Sequence, residues 1–176
     1  MRSTLVAAVL LVVALLPGSG QPPADGHVQG NAYVNPYFHY SYAWPPFLHP
    51  VPTSTLNLSH QASPNEVLLF TARQGNDPDG IILVAEKLNV PTQHTSGIKD
   101  GPDFLNRVLQ VPDPTQIRVL ARTRTNTKDG FVFEQLDYLN YNQYISTIAM
   151  QIGQYLLAFR CNAKSQSDLE PVINFG

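Results

Sequence analysis

The chain has 176 residues and a formal net charge of −2, and only 14% of its residues are charged. This length favours one domain. The weak charge argues against nucleic acid or an anionic membrane as the partner, because either would be attracted by a strongly basic surface. With Cys161 as the single cysteine, an internal disulfide is excluded.

The first twenty residues have the pattern of a secretory signal peptide. Met1 and Arg2 form a positively charged start, residues 5–16 are an uninterrupted apolar run, and residues 18–20 are small. The apolar run is shorter than the roughly 20 residues that cross a bilayer, although an uncleaved anchor is the alternative. We therefore expect residues 1–20 to be removed on export. The mature protein would have no transmembrane segment and would be periplasmic or extracellular, in a bacterium.

The next segment changes from polar to aromatic. Residues 21–31 are rich in proline, glycine and polar residues and predict a flexible lead-in. A single α+β domain is expected over residues 32–176. Between Tyr33 and Tyr42 polar and aromatic residues roughly alternate, which predicts one strand with Pro36 near its edge or start.

The aromatic side chains of this segment have two interpretations. Amphipathic rings with few rotamers form good contact surfaces for peptides or sugars. The candidate interaction surface consists of Tyr33, Tyr37, Tyr40, Tyr42 and Trp44. Alternatively, half of the rings face the core and the others shield an edge strand, because aromatic residues are favoured in strands generally. We favour the second interpretation.

The middle of the chain predicts a hairpin. Residues 47–64 contain several prolines and are expected to be mostly irregular. Residues 66–73 and 81–88 are compact apolar runs of strand length. The segment between them, residues 77–80, has the aspartate, proline and glycine composition of a turn.

A short helix follows. Pro102 suits the first turn of a helix, and Asp100 is the candidate cap. Four apolar residues then recur at helical spacing, which predicts an amphipathic helix of about ten residues; they are Phe104, Leu105, Val108 and Leu109.

The last third of the chain predicts an antiparallel meander and a terminal helix. The predicted strands cover residues 116–123, 131–138, 143–151 and 155–163. Within the second of them, Val132, Glu134, Leu136 and Tyr138 share one side. The tail, residues 165–175, predicts a helix capped at Ser165 or Ser167, in which Pro171 fits only if it lies in the first turn.

This order of elements, with four short landmarks, resembles the PsbP/Mog1 superfamily. The landmarks are Tyr33-Val34-Asn35-Pro36-Tyr37-Phe38 followed by Ser41-Tyr42-Ala43-Trp44-Pro45, then Ile98-Lys99-Asp100-Gly101-Pro102-Asp103-Phe104-Leu105, Asp129-Gly130-Phe131-Val132-Phe133-Glu134 and Gly153-Gln154-Tyr155-Leu156-Leu157-Ala158. The resemblance implies an α-β-α sandwich in which an antiparallel sheet of about six or seven strands is flanked by a short central helix and a C-terminal helix. The chain departs from the family near the C-terminal helix, where Ser165-Gln166-Ser167-Asp168-Leu169 replaces the usual tryptophan and basic residues.

Members of this superfamily are mostly binding and assembly factors, in photosystem assembly or with a nuclear GTPase. Neither partner-binding surface can be matched to this chain residue by residue. The resemblance therefore implies only a non-enzymatic role, by analogy of fold.

The sequence has no compact metal-binding motif. Its five histidines are His27, His39, His49, His60 and His94. None of them has the short spacing that places two imidazoles on one ion. We therefore predict no metal and no cofactor; if a metal were bound, His39, His49 and His60 would be the best candidate ligands.

A catalytic nucleophile is not indicated either. The mature chain contains no Gly-x-Ser-x-Gly elbow. Cys161 lies in an apolar segment predicted as a strand, which favours a buried core residue over an activated thiolate. Glu134 and Asp137 are an odd number of residues apart, so they face opposite sides of a strand. A solvated strand face explains the close arginines better than a phosphate site does; these are Arg118, Arg122 and Arg124.

These observations predict an exported, non-enzymatic binding or assembly module of the cell envelope, with an unknown protein or envelope component as its partner. One alternative is a hydrolytic or metal-dependent enzyme whose site is assembled from distant residues such as His39, Glu134 and Arg160. That alternative requires a cleft in which these side chains converge. A further alternative is a dimer linked through Cys161.

Overall fold

The computed structural model describes residues 26–52, 65–75, 79–91, 97–110, 113–127 and 130–173. The predicted signal peptide and residues 21–25 of the lead-in lie outside these ranges. Among the described residues, no helix is long and apolar enough to cross a membrane.

Ten strands and two helices are formed by the described residues. In chain order they are β1 (His27–Gln29), β2 (Ala32–Asn35), β3 (Tyr40–Ala43), β4 (His49–Pro50), β5 (Glu66–Arg73), β6 (Gly80–Lys87), α1 (Gly101–Val108), β7 (Ile117–Asn126), β8 (Val132–Asn140), β9 (Gln143–Ile152), β10 (Tyr155–Ala163) and α2 (Gln166–Ile173).

Seven of the strands form one antiparallel sheet, in the order β4-β5-β6-β10-β9-β8-β7. The predicted hairpin is β5 with β6, and the predicted meander is β7 to β10. The two units join because β10 pairs with β6 along eight residue positions. The predicted α+β class is confirmed, and so is the predicted sheet of about six or seven strands. Strand β7 runs three residues beyond its predicted end, to Asn126.

The N-terminal segment forms a separate three-stranded sheet, β1-β2-β3. The prediction of one strand between Tyr33 and Tyr42 is wrong, because a turn at residues 36–39 divides it into β2 and β3. Asn35 supports this turn by accepting a hydrogen bond from the Phe38 amide at 3.2 Å. His39 completes it in the left-handed region, with φ of 49°. Strand β1 lies within the predicted lead-in, where no element was expected.

The large sheet has two covered faces. On one face, its apolar side chains pack against the β1–β3 sheet and against Leu169 and Val172 of α2. On the α1 face, they pack against Phe104, Leu105 and Val108 of the other helix. Each face therefore has its own hydrophobic core, and burying one such large apolar side chain stabilises the fold by roughly 1.5–3 kcal/mol.

Helix α1 begins as predicted. Asp100 is the N-cap, and its side chain accepts a hydrogen bond from the Asp103 amide at 2.8 Å. Pro102 lies in the first turn, where its missing amide proton costs no hydrogen bond. The helix ends at Val108, earlier than the predicted length of about ten residues.

Helix α2 differs from its prediction at Pro171. The hydroxyl of Ser165 accepts a hydrogen bond from the Asp168 amide at 3.2 Å, so the predicted cap is confirmed. The helix nevertheless continues through Pro171, which lies in its interior rather than in the first turn. Burial of Leu169 and Val172 against the sheet offsets the hydrogen bond that proline cannot make.

Candidate functional site

Most of the N-terminal aromatic side chains lie in the core. At most 5% of the surface is exposed in Tyr33, Phe38, Tyr40 and Trp44. Trp44 stacks on Phe70 of β5 with ring centroids 5.0 Å apart. The ring of Tyr40 lies 5.5 Å from that of Phe159 on β10. These rings join the small sheet to the large one.

The candidate aromatic surface is thereby reduced to two half-buried side chains, Tyr37 and Tyr42. Tyr37 packs edge-on against Tyr155, with centroids 5.6 Å apart. The Tyr42 hydroxyl donates to the main-chain oxygen of Val172 at 3.4 Å. Burial raises the pKa of Tyr42 well above its ordinary value. The interpretation of this segment as core is the one that these positions support.

Cys161 also belongs to the core. It is 3% exposed on β10 and lies on the face of the large sheet that packs against the β1–β3 sheet. Burial, reinforced by the charge of Asp137, raises the pKa of the thiol to about 12. A thiol with this pKa is almost entirely protonated at neutral pH and is a poor nucleophile.

The histidines are dispersed. His27 and His49 are exposed on β1 and β4, and His39 lies in the β2–β3 turn. The remaining candidates, His60 and His94, lie outside the described residues. Within the described ranges, no three His, Cys, Asp or Glu side chains are grouped so that they could hold a metal ion.

The three residues of the assembled enzyme site are not brought together. Glu134 and Arg160 both face α1, but they lie on β8 and β10 with β9 between them. Glu134 is engaged elsewhere, since its carboxylate oxygen lies 3.3 Å from Nε of Arg124. His39 lies in the turn between β2 and β3, on the opposite face of the large sheet.

A row of buried polar side chains crosses the α1 face, and sequence reasoning missed it. Thr71 and Thr147 are each at most 1% exposed, and Arg160 lies between them in the strand register. The Thr71 hydroxyl and Nε of Arg160 are buried without a hydrogen-bond partner in the described part of the chain, and the Thr147 side chain interacts with the Tyr138 hydroxyl. The adjoining cavity has about 10 Å³, which is room for one water molecule.

A larger cavity of about 360 Å³ opens between the start of β6 and α2. Phe47 and Val172 contribute apolar surface, and Asp79 and Asp168 contribute carboxylates. Asp168 accepts a hydrogen bond from Ser165 at 2.5 Å, so this carboxylate already serves the start of α2. The volume is in the range of small-ligand sites, but no catalytic arrangement of its described lining residues is evident.

The longest stretch of exposed strand in the described part of the chain is β7. Its inner side pairs with β8, and no described strand pairs with its outer side. Eight of its ten residues are exposed. Val119 and Leu120 expose 50% and 42% of their surface. We refer to residues Ile117–Asn126 and their outer backbone groups as the β7 edge.

Three arginines extend from the β7 edge. Arg122 donates to the side-chain oxygen of Asn106 at 2.8 Å and to the main-chain oxygen of Pro102 at 3.0 Å. Arg124 pairs with Glu134, and its side chain is 63% exposed. Arg118 is exposed. All three arginines are exposed to solvent, as predicted, but the register shift between Val119 and Ala121 places Arg118 on the opposite face of the sheet from Arg122 and Arg124.

An open edge of this kind can bind an extended chain, because its unpaired amide and carbonyl groups offer a template for another strand. Sequence reasoning found the strand but not its position at the edge. The one local signal was composition: β7 contains three arginines, two threonines and no acidic residue.

The comparisons with known proteins bear on the fold. No protein-family model matches the sequence. The search of curated proteins likewise gives no match. Among solved structures, the chain is similar to the solution structure of cyanobacterial PsbP (CyanoP) from Synechocystis sp. PCC 6803, with a TM-score of 0.56 and 16% sequence identity over 93% of this chain and 96% of that one. The resemblance to PsbP is thus confirmed for the fold.

Proposed function

We propose that this chain, which has a PsbP-like fold, is an exported, non-enzymatic binding module of the cell envelope, and that its partner contacts the β7 edge. The similarity of fold supports a non-enzymatic module in general terms. Export is supported by the charged start, apolar run and small residues of the first twenty positions.

The observation that carries the proposal is the exposure of β7. A long open edge strand with exposed apolar side chains promotes aggregation unless a partner covers it. Strand β7 has ten residues, and Val119 and Leu120 expose 50% and 42% of their surface. The opposite edge of the sheet is β4, which has only two residues. A partner seated on the β7 edge would cover the apolar side chains and satisfy the open backbone groups.

A matched pair of valines allows a direct test. Val119 on β7 is 50% exposed and Val28 on β1 is 49% exposed. The mature chain would be used to capture partners from envelope extract as wild type, Val119→Glu and Val28→Glu. We expect Val119→Glu to lose the partner and Val28→Glu to retain it. Circular dichroism should show that both variants are folded.

A photo-crosslinking amino acid at the same two positions gives the second readout. A covalent adduct from position 119 and none from position 28 would support the proposal. Capture that is unaffected by Val119→Glu, adducts only from position 28, or no partner at all would each contradict it. Export is tested separately by sequencing the N-terminus of the secreted protein, which should begin near Gln21.

A further inference from the structure

We infer that the β7 edge takes an extended, acidic segment of a partner protein as an eighth strand of the large sheet. This inference rests on the proposed function and specifies the chemistry of the partner. It follows from the regular backbone of the edge, from its positive charge, and from the self-association that this charge disfavours.

The edge contains a regular stretch that is long enough for a strand. The pairing of β7 with β8 shifts between Val119 and Ala121, which marks a bulge at Leu120. Beyond the bulge, Ala121 to Asn126 pair without interruption with Asp137 to Val132. Six residues of regular strand span about 20 Å. The bulge therefore interrupts one end of the edge and leaves a template on the other.

The charge of the edge has one sign. Arg118, Arg122 and Arg124 lie within seven positions, β7 contains no acidic residue, and the whole chain has a net charge of −2. Arg122 is held in place by its bonds to α1, so little side-chain entropy is lost when its remaining N–H groups bind a carboxylate. Carboxylates on an added strand would meet Arg122 and Arg124 on the face that α1 covers, or Arg118 on the opposite face, as cross-strand or diagonal neighbours, an arrangement that stabilises paired strands.

The same charge disfavours a second copy of this chain as the occupant. Two β7 edges paired with each other would bring Arg122 and Arg124 of both copies to one face of the strand pair, and like charges across a strand pair are destabilising. Charged side chains on an edge strand also protect it from self-association. The arginines thus exclude a second copy while they attract a strand of opposite charge.

The apolar side chains favour a polypeptide over nucleic acid. Val119 and Leu120 are exposed beside the arginines, and they would gain nothing from a phosphate backbone. The open amide and carbonyl groups of the edge match another polypeptide main chain. An acidic strand with alternating apolar residues satisfies all three features.

Synthetic peptides test the inference directly. The probes are a ten-residue peptide that alternates Glu with Val and Thr, and two matched peptides with Gln or Lys in place of Glu. Backbone amide NMR of the mature chain would follow binding. We expect the Glu peptide to bind at least about tenfold more tightly than the Gln peptide, with shift changes and slowed hydrogen exchange confined to residues 117–126. Binding should weaken near 1 M salt, where the Debye length is about 3 Å.

Charge reversal supplies the matched variants. Arg118→Glu/Arg122→Glu/Arg124→Glu should reverse the preference, so that the Lys peptide binds more tightly than the Glu peptide. Lys87→Glu/Lys99→Glu/Lys164→Glu changes the net charge equally at exposed positions elsewhere and should leave the preference intact. Circular dichroism should show that both triple variants are folded.

Several results would overturn the inference. These are equal binding of the Glu and Gln peptides, shift changes outside β7, tighter binding of a single-stranded oligonucleotide than of the Glu peptide, or sedimentation as a dimer. If an envelope partner still crosslinks at position 119 while the Glu and Gln peptides bind equally, only the acidic chemistry fails. If no partner crosslinks there and no peptide binds, both the inference and the proposed function fail.

Discussion

The guanidinium group of Arg122 on β7 donates a hydrogen bond of 2.8 Å to the side-chain oxygen of Asn106 on α1. The edge strand is thereby tied to the helix that covers the neighbouring face of the sheet. Because both side chains are exposed, water competes for this bond, and its contribution to stability is modest. Its main effect is to hold the guanidinium in one position along the edge.

The coupling between Arg122 and Asn106 is measurable. In a double-mutant cycle with Arg122→Ala and Asn106→Ala, we expect a coupling of about 0.5 kcal/mol in the free energy of unfolding. Urea denaturation would measure it. A parallel cycle of Arg118→Ala with Asn106→Ala should show additivity, because no bond joins Arg118 to Asn106. Equal coupling in the two cycles would contradict this account of the bond.

The stacked pair of Trp44 and Phe70 belongs to the hydrophobic core. We expect Phe70→Ala to reduce the free energy of unfolding by roughly 3–5 kcal/mol, because it leaves a cavity beside a buried ring. Urea denaturation followed by circular dichroism would measure the loss. Trp44 is the only tryptophan, so its emission should shift to the red when the wild-type protein unfolds. Val28→Ala, at an exposed position, should have little effect; a Phe70→Ala variant as stable as wild type would place these rings outside the core.

The buried thiol of Cys161 should be unreactive in the native protein. At about pH 8, an alkylating reagent should modify it only as fast as the protein unfolds, since burial keeps the thiol protonated and inaccessible. Denatured protein, with an ordinary thiol pKa, serves as the control and should react rapidly. Non-reducing electrophoresis should show monomer, and a dimer band that disappears on reduction would contradict the burial of this side chain.

The same thiol makes stability depend on alkaline pH. Its pKa is 9.0 without perturbation and about 12 in the native protein. Between these values the unfolded chain releases a proton that the native protein retains, so stability falls as pH rises, by up to about 1.4 kcal/mol per pH unit. Below pH 9 the full contribution is present. Urea denaturation over this range should show a steeper loss for wild type than for Cys161→Ala, and equal slopes would refute the assignment.

A side chain at Gly80, at the start of β6, is expected to destabilise the protein. A Cβ at this position would overlap the main-chain oxygen of Ala72 on the adjacent strand, so Gly80→Ala must separate β5 from β6. We expect a loss of about 1–3 kcal/mol in the free energy of unfolding. Gly153 is the matched control, because it has φ of 59° and open space around it. Gly153→Asn should cost little, since asparagine tolerates this backbone region; similar losses for the two variants would contradict the steric argument.

Local sequence signals predicted the elements whose ends are defined locally. Asp100 and Pro102 identified the start of α1. Compact apolar runs located β5 and β6, and the meander pattern located β9 and β10, each to within about one residue. The N-terminal hairpin was missed because the aromatic alternation continues on both sides of its turn. That turn uses His39 in the left-handed region, where glycine or asparagine would have given a clearer signal.

The candidate site could be predicted only in part. The three arginines were correctly predicted to be solvated, but the bulge that moves Arg118 to the other face was not predicted, and the composition of β7 was the one local signal of its edge position. The aromatic side chains were first considered as a contact surface, and most of them are buried because the small sheet folds back onto the large one. Likewise, the row formed by Thr71, Arg160 and Thr147 comes from three strands far apart in the chain.

The sequence by itself therefore determined the α+β class, the helix caps and the strands and turns of the β5–β6 hairpin and the meander, because hydrogen bonds and side-chain spacing within a few residues specify them. Only the tertiary structure decided the strand order. The pairing of β10 with β6 places β10 at the centre of the sheet, and β7 then has no described neighbour on its outer side. Strand order depends on which apolar faces can be buried together across the whole chain, so the edge that we propose as the binding surface is a property of the folded protein.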